Sequence, residues 1–258
     1  MGESTLYEHL LAPGRIGTLE LRNRIIMAPM GDCLSNVDGT VSDNQAAYFE
    51  ARARGGAGML LVGSVSVSYP YGSFDERQTA ASDDLYLPGL IDLTTRVHRH
   101  GARIAAQITH NGQMSLYDTA NGRPMLVPAP PKAPKPDHIS TMVTEGEVAA
   151  MMWAYTQPTS QLSYQAATES DLAWVVERFV DTSERCQRAG FDGVELHAGH
   201  GYLIDEFLTP SMNTRTDGWG GAVENRARLL VEILRAIRAR LGPEFPLWIR
   251  INAVEHHK

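Results

Sequence analysis

Short, almost wholly apolar runs separated by helix-length amphipathic stretches constrain this chain more than any other feature of its 258 residues. Gly58 to Val65, Arg103 to Thr109, Gly193 to His197 and Leu247 to Ile251 are such runs, and an earlier one, Ile25 to Met30, ends in Ala28-Pro29-Met30. Strands that stay apolar on both faces belong to parallel sheets covered by helices. The intervening stretches supply those helices. Ser42 to Arg54 opens with Ser42 and Gln45 at capping-box spacing and stops at Gly55, and Pro88 to His100 stops at Gly101. Thr168 to Ala189 begins with Thr168 and Asp171 at the same spacing and repeats Leu172, Val175, Val176, Phe179, Val180, Ser183 and Cys186, which makes Cys186 a core contact. Asn225 to Leu241 repeats Leu229, Leu230, Ile233, Leu234 and Ile237 before Gly242-Pro243. The rhythm is β-α-β, so the fold class is α/β, and one barrel of about 250 residues would use the whole chain. Periodicity does not separate a closed barrel from a doubly wound sheet.

Two stretches depart from that rhythm. Leu6 to Arg24, with Gly14, Gly17 and the alternating Thr18-Leu19-Glu20-Leu21, predicts a hairpin ahead of the first sheet strand. From about 112 to 167 the pattern dissolves into Pro- and Ser/Thr-rich sequence, including VPAPPKAPKP and YTQPTSQLSYQ. A loop longer than about 15 residues inside a compact domain is usually functional or disordered. In a barrel it would lie over the carboxyl ends of the strands, so it reads as a substrate-facing lid whose Trp153, Tyr155 and Tyr164 line a pocket, pack a subunit interface or close on a surface cluster.

Composition narrows the partners. The net charge of −7 without a basic stripe argues against nucleic acid, which calls for clustered Lys and Arg. The start, MGESTLYEHLLAP, has no basic-then-apolar signal pattern, and no apolar run approaches the roughly 18 residues of a membrane span. Two cysteines, Cys33 and Cys186, cannot build a disulfide framework, so a reducing cytoplasm is the expected compartment. Small molecules are the expected partners, and a homo-oligomer the expected assembly.

The chemistry concentrates in VELHAGHGYLIDEFLTPSMNTRTDGWGGAVENRARLL, Val194 to Leu230. A buried strand breaks at Gly199 and Gly201 while His197, His200 and Tyr202 follow one another. Donors at i, i+3 and i+5 on a strand leaving its sheet can converge on one electronegative atom, with a phenol placed to move a proton nearby. Two imidazoles could instead share a metal. That needs a third ligand, and Glu195 is expected to alternate to the opposite face of its strand from an inward neighbour. No metal site is therefore predicted. Arg215, Asp217, Asn225 and Arg226 read as a salt-linked turn bracing the loop onto the next helix.

From His197 onward this run resembles the Old Yellow Enzyme family of FMN-dependent ene-reductases, with its larger relatives the 2,4-dienoyl-CoA reductases and trimethylamine dehydrogenases. The resemblance decides for a (β/α)8 TIM barrel, here present through strand five, with the early hairpin plugging its floor. It implies that His197 and His200 bind a substrate carbonyl oxygen and that Tyr202 delivers a proton to an alkene carbon. NRIIMAPM matches the family's first strand, so Ala28, Pro29 and Met30 are expected beneath the flavin. Some members carry a redox-tuning cysteine directly after this Pro-Met, where Gly31 stands here, so that role is not carried to Cys33. Gln107 in QITHNGQ matches the glutamine at the flavin's pyrimidine edge, with Gln113 replacing an arginine, while His110 reads equally as a loop-ordering imidazole or a cofactor contact. Arg250 in WIRIN matches the arginine near the flavin's N1 and O2.

The implied cofactors are FMN and, as reductant, NAD(P)H. The implied substrate is an α,β-unsaturated carbonyl compound. Desaturation or amine N-demethylation are alternatives within the family, and an inert scaffold is the alternative outside it. A closed barrel requires eight strands, and the resemblance places the FMN phosphate on the later ones, so this chain is expected to be a piece of a longer protein. Larger members continue into 4Fe-4S and FAD-type nucleotide-binding parts, which the sequence leaves open for a longer parent.

Overall fold

The computed structural model describes residues 7–131 and 162–254. The chain runs α1 (Glu8–Leu11), β1 (Gly14–Ile16), β2 (Leu19–Leu21), β3 (Ile26–Met27), α2 (Asp43–Arg54), β4 (Met59–Ser66), α3 (Leu87–His98), β5 (Arg103–Thr109) and α4 (Leu116–Ala120). It continues through β6 (Met125–Val127), β7 (Tyr164–Ala166), α5 (Glu169–Arg188), β8 (Gly193–Ala198), α6 (Leu203–Leu208), α7 (Val223–Arg226), α8 (Arg228–Leu241) and β9 (Leu247–Ile251). β3, β4, β5, β8 and β9 lie side by side in that order in one parallel sheet that curls into a half-barrel.

The two faces of the sheet have different partners, as strand alternation requires. Leu60, Val62, Ile104, Ala106, Ile108, Val194 and Leu196 pack outward with Phe49 of α2, Leu93 of α3, Phe179 of α5 and Ile233 of α8. Full burial of a side chain such as Phe49 or Phe179 contributes about 1.5–3 kcal/mol. The inner face meets the antiparallel β1–β2 hairpin, whose Ile16, Leu19 and Leu21 pack with Met59, Leu61, Ala105 and Trp248. That apolar plug fills the amino ends of the strands, so the inward polar side chains sit toward the carboxyl ends.

Local signals are realised unevenly. At Thr168 the capping box is complete: Thr168 Oγ1 accepts from the Asp171 N–H at 3.2 Å and Asp171 Oδ2 accepts from the Thr168 N–H at 2.9 Å. At Ser42 only half forms. Ser42 Oγ accepts from the Gln45 N–H at 3.1 Å, while the Gln45 side chain turns inward to Thr79 (2.7 Å), Asp32 and Ser35 (both 3.1 Å). Buried polar partners outcompete the cap.

Three sequence expectations need correction. The strand expected over Ile25 to Met30 pairs only at Ile26–Met27, since Pro29 has no N–H to donate, and as an edge strand it leaves Ile26 41% exposed. The helix expected from Asn225 to Leu241 is two, α7 and α8, meeting at Ala227. The expected loop over about 112–167 carries structure at both described ends: a 3-10 turn at Gly112–Met114, α4, and a parallel pairing of β6 with β7. Strands of three residues joined across such a separation leave no periodic trace. Residues 132–161, including Trp153 and Tyr155, lie outside the described residues, and Tyr164 falls in β7.

The predicted brace is present. Arg215 donates to Asp217 through Nε and Nη2 at 3.0 and 2.6 Å, and its Nη1 reaches the carbonyls of Pro128 (3.0 Å) and Ala167 (2.7 Å). Arg226 donates to the Leu208 and Gly221 carbonyls, and Asn225 to that of Gly220. Cys186 is buried in the core, as its helical position predicts. Among the described residues no helix is long and apolar enough to cross a membrane.

Candidate active site

Inward positions on adjacent strands converge because the sheet is in register. Gln107 on β5 pairs with Glu195 on β8, and His197 on β8 pairs with Arg250 on β9. Glu195 and His197 are two residues apart and share the inward face. This corrects the expectation for Glu195, whose carboxylate collects Gln107 Nε2 at 2.7 Å, Trp248 Nε1 at 2.6 Å and Arg250 Nε at 2.9 Å. With its NH2 turned to Glu195, Gln107 keeps Oε1 without a partner among the described residues. Arg250 spends only Nε on Glu195 among the described residues.

Beyond β8 the chain reverses. Gly199 is followed by His200 at φ 61° and Gly201 at φ 73°, and Tyr202 is the N-cap of α6. Non-glycine residues seldom adopt that left-handed conformation, and here the reversal is held from outside. Asn252 Oδ1 accepts the His200 N–H at 3.2 Å, while Asp205 Oδ2 accepts both the Gly201 N–H (2.8 Å) and Asn252 Nδ2 (2.9 Å). The result gathers three rings: His197 lies 5.0 Å from His200 and 4.7 Å from Tyr202 between centroids, both edge to face.

The electrostatics define what these groups can donate. His197 is 3% exposed, and burial, with His200 and the Arg250 guanidinium beside it, holds its pKa down to about 3. Its Nδ1 accepts the Gly199 N–H at 3.3 Å, so the neutral ring carries its hydrogen on Nε2. Burial raises the Tyr202 phenol, which therefore stays protonated at neutral pH.

His197, His200, Tyr202, Gln107, Arg250, Pro29 and Met30 line one cleft of about 370 Å³ at the carboxyl ends of the strands. Ala28 lies one level deeper, lining a separate inner cavity with Met59, Leu61, Glu195 and Trp248 that shares Arg250 with the cleft. His110 is absent from the cleft lining. It is buried with Nδ1 accepting the Gly112 N–H at 3.2 Å, which makes it the loop-ordering imidazole. The cleft also gathers Asp32, Cys33, Ser64, Phe74, Asp75, Arg77, Gln78, Thr79 and Asn111, which sequence reasoning missed. Ser64 lies within β4, and the others follow β3, β4 and β5 in loops without periodicity, where the density of polar residues after each apolar run was the one signal available. Cys33 is exposed there, and partial desolvation of its thiol together with Asp75 and Asp32 raises its pKa, against the pull of Arg77. No group of three or more His, Cys, Asp or Glu that could hold a metal occurs among the described residues.

A parallel half-barrel thus gathers imidazoles, a phenol and an arginine at its strand ends. The chain belongs to the NADH:flavin oxidoreductase / NADH oxidase family, whose model matches residues 9–258. It is similar to the NADH oxidase of Thermoanaerobacter brockii, 37% identical over 97% of this chain and 35% of that protein. Among solved structures it resembles a 2-naphthoyl-CoA reductase in complex with 2-naphthoyl-CoA (TM-score 0.80, 28% identity, 95% of this chain and 35% of that one). It also resembles the Old Yellow Enzyme from Pichia sp. AKU4542 (TM-score 0.77, 26% identity, 94% of this chain and 59% of that one). The chain thus spans between a third and three fifths of the length of these relatives. The hairpin, the strand order and the half-barrel agree with the barrel expected from the resemblance.

Proposed function

We propose that the cleft is the active site of an FMN-dependent oxidoreductase that reduces an activated carbon-carbon double bond with electrons from NAD(P)H. The observation that carries this reading is the convergence of a buried neutral imidazole, a second imidazole and a protonated phenol on one cleft that also holds Gln107 and Arg250. FMN is the family's flavin. The lining suits its ring: Oε1 of Gln107 can accept from the ring N–H of the pyrimidine edge, and the uncommitted guanidinium nitrogens of Arg250 can donate to the adjacent carbonyl. A permanent cation there would favour the anionic reduced ring.

When bound, FMN supplies the hydride it takes from NAD(P)H. The protein's part is to polarise and to protonate. His197 through Nε2–H, together with His200, would hold the substrate's carbonyl oxygen and stabilise the charge that grows on it as the β-carbon receives hydride. Because His197 is neutral down to about pH 3, it acts there as a fixed donor and gives up no proton. Tyr202 would hand its phenolic proton to the α-carbon. The 2-naphthoyl-CoA bound by one structural neighbour is a conjugated acyl thioester, which supports a carbonyl-activated substrate. Both cysteines are free thiols, which suits a reducing cytoplasm.

Tyr202→Phe tests the assignment. Alkene reduction should slow by about 10²-fold or more, while reduction of the flavin by NAD(P)H stays nearly unchanged. Equal loss in both half-reactions would remove Tyr202 from the proton-donor role.

A further inference from the structure

Asn252 follows β9 directly, and the register that pairs His197 with Arg250 and Ala198 with Ile251 carries on to set it beside Gly199. The approach is close. A Cβ added at Gly199 would lie 2.8 Å from Asn252 Oδ1, so a glycine after β8 is what admits this side chain. The amide has one workable orientation. Oδ1 accepts the His200 N–H at 3.2 Å, and Nδ2 donates at 2.9 Å to Asp205 Oδ2, which also accepts the Gly201 N–H at 2.8 Å. A flipped amide would set oxygen against the Asp205 carboxylate and its own hydrogens against the His200 N–H. His200 is exposed at the cleft and stands at φ 61°, a conformation unfavourable for any residue that bears a Cβ. Such a backbone persists where its surroundings hold it, and the hydrogen bonds from Asn252 and Asp205 do so on both sides of the His200–Gly201 peptide.

We propose that Asn252, anchored by Asp205, is a positioning residue for the second imidazole of the cleft. It keeps His200 in the left-handed conformation that sets its ring 5.0 Å from that of His197, so that both imidazoles meet one carbonyl oxygen. This rests on the reading of the cleft as a carbonyl-activating site. Two positions at one strand end then serve the two halves of that site: Arg250 faces the flavin ring, and Asn252 acts on the substrate through His200.

A double-mutant cycle tests it. FMN-loaded wild type, Asn252→Leu, His200→Ala and the double variant are matched for bound flavin by absorbance. They are compared in kcat/KM for cyclohex-2-enone and in the calorimetric dissociation constant of unreactive cyclohexanone. His200→Ala should lose about tenfold in both, the worth of one neutral hydrogen bond, and Asn252→Leu about fivefold. In the His200→Ala background Asn252→Leu should cost less than about twofold, because the ring it positions is gone. Gly199→Ala, whose methyl displaces the Asn252 amide without removing a polar group, should reproduce the loss. It answers the question if Asn252→Leu does not fold. A loss from Asn252→Leu or Gly199→Ala that is equally large with and without the His200 ring overturns the inference and leaves the reading of the cleft intact. So does no loss in either variant while His200→Ala loses its tenfold. If His200→Ala changes neither number, that reading falls and the inference with it.

Discussion

Replacing His110 by asparagine should flatten the acid side of the stability profile. His110 is 3% exposed, its Nδ1 accepts the Gly112 N–H, and its ring lies edge-on to Trp174 at 6.4 Å. Burial lowers its pKa from 6.5 to about 4. Between those values the unfolded chain holds a proton that the native protein refuses, so stability is lost as pH falls through the window and regained as it rises. Each pH unit inside it is worth up to about 1.4 kcal/mol, and the full effect of this residue is about 3 kcal/mol. Asparagine leaves a short acceptor near the Nδ1 position but cannot take up the proton. At about pH 7 the variant should be the less stable by about 2 kcal/mol, from lost ring packing. By about pH 4.5 wild type should have given up about 2 kcal/mol more than the variant, and the gap should close. Urea unfolding followed by tryptophan fluorescence at both pH values gives the two differences. A gap that stays constant would mean that His110 is not held neutral, and the burial argument would be refuted.

Two further outcomes follow from the same packing. Gly72 sits at φ +64° and an added Cβ would lie 2.4 Å from His110 Nε2, so Gly72→Ala should cost about 2–4 kcal/mol from backbone strain and overpacking, read as a fall in urea midpoint. Glu195→Leu should destabilise by about 2–4 kcal/mol in the same assay, because Gln107, Trp248 and Arg250 all lose their shared acceptor.

Much of this architecture could be read from residues alone because the signals were local. The limits of β9, the Thr168 cap and the hairpin each follow from neighbours a few positions apart. His197, His200 and Tyr202 were likewise legible, since a strand, two glycines and three polar rings occupy one short segment. What escaped depended on distant partners. Gln45 occupies a capping-box position but spends its amide on Asp32 and Thr79, residues that a local reading does not connect. Glu195 looked turned away from the chemistry until register placed Gln107, Trp248 and Arg250 around it. Asn111 and Gln78 are 33 positions apart, and the pairing of β4 with β5 brings the loops that carry them together.

The Arg215 clamp has a consequence for how this molecule can vary. The ladder between Met125–Val127 and Tyr164–Ala166 already ties the two ends of the intervening chain together, and the same guanidinium grips Pro128 on one side and Ala167 on the other. With the ends fixed, closure entropy grows only logarithmically with what lies between, about 0.6 kcal/mol for each doubling of length. The pair of strands and their arginine therefore act as a socket. Inserts of different length and composition can be exchanged there, by evolution or by design, while the strand ends that carry the imidazoles, the phenol and the guanidinium stay where they are.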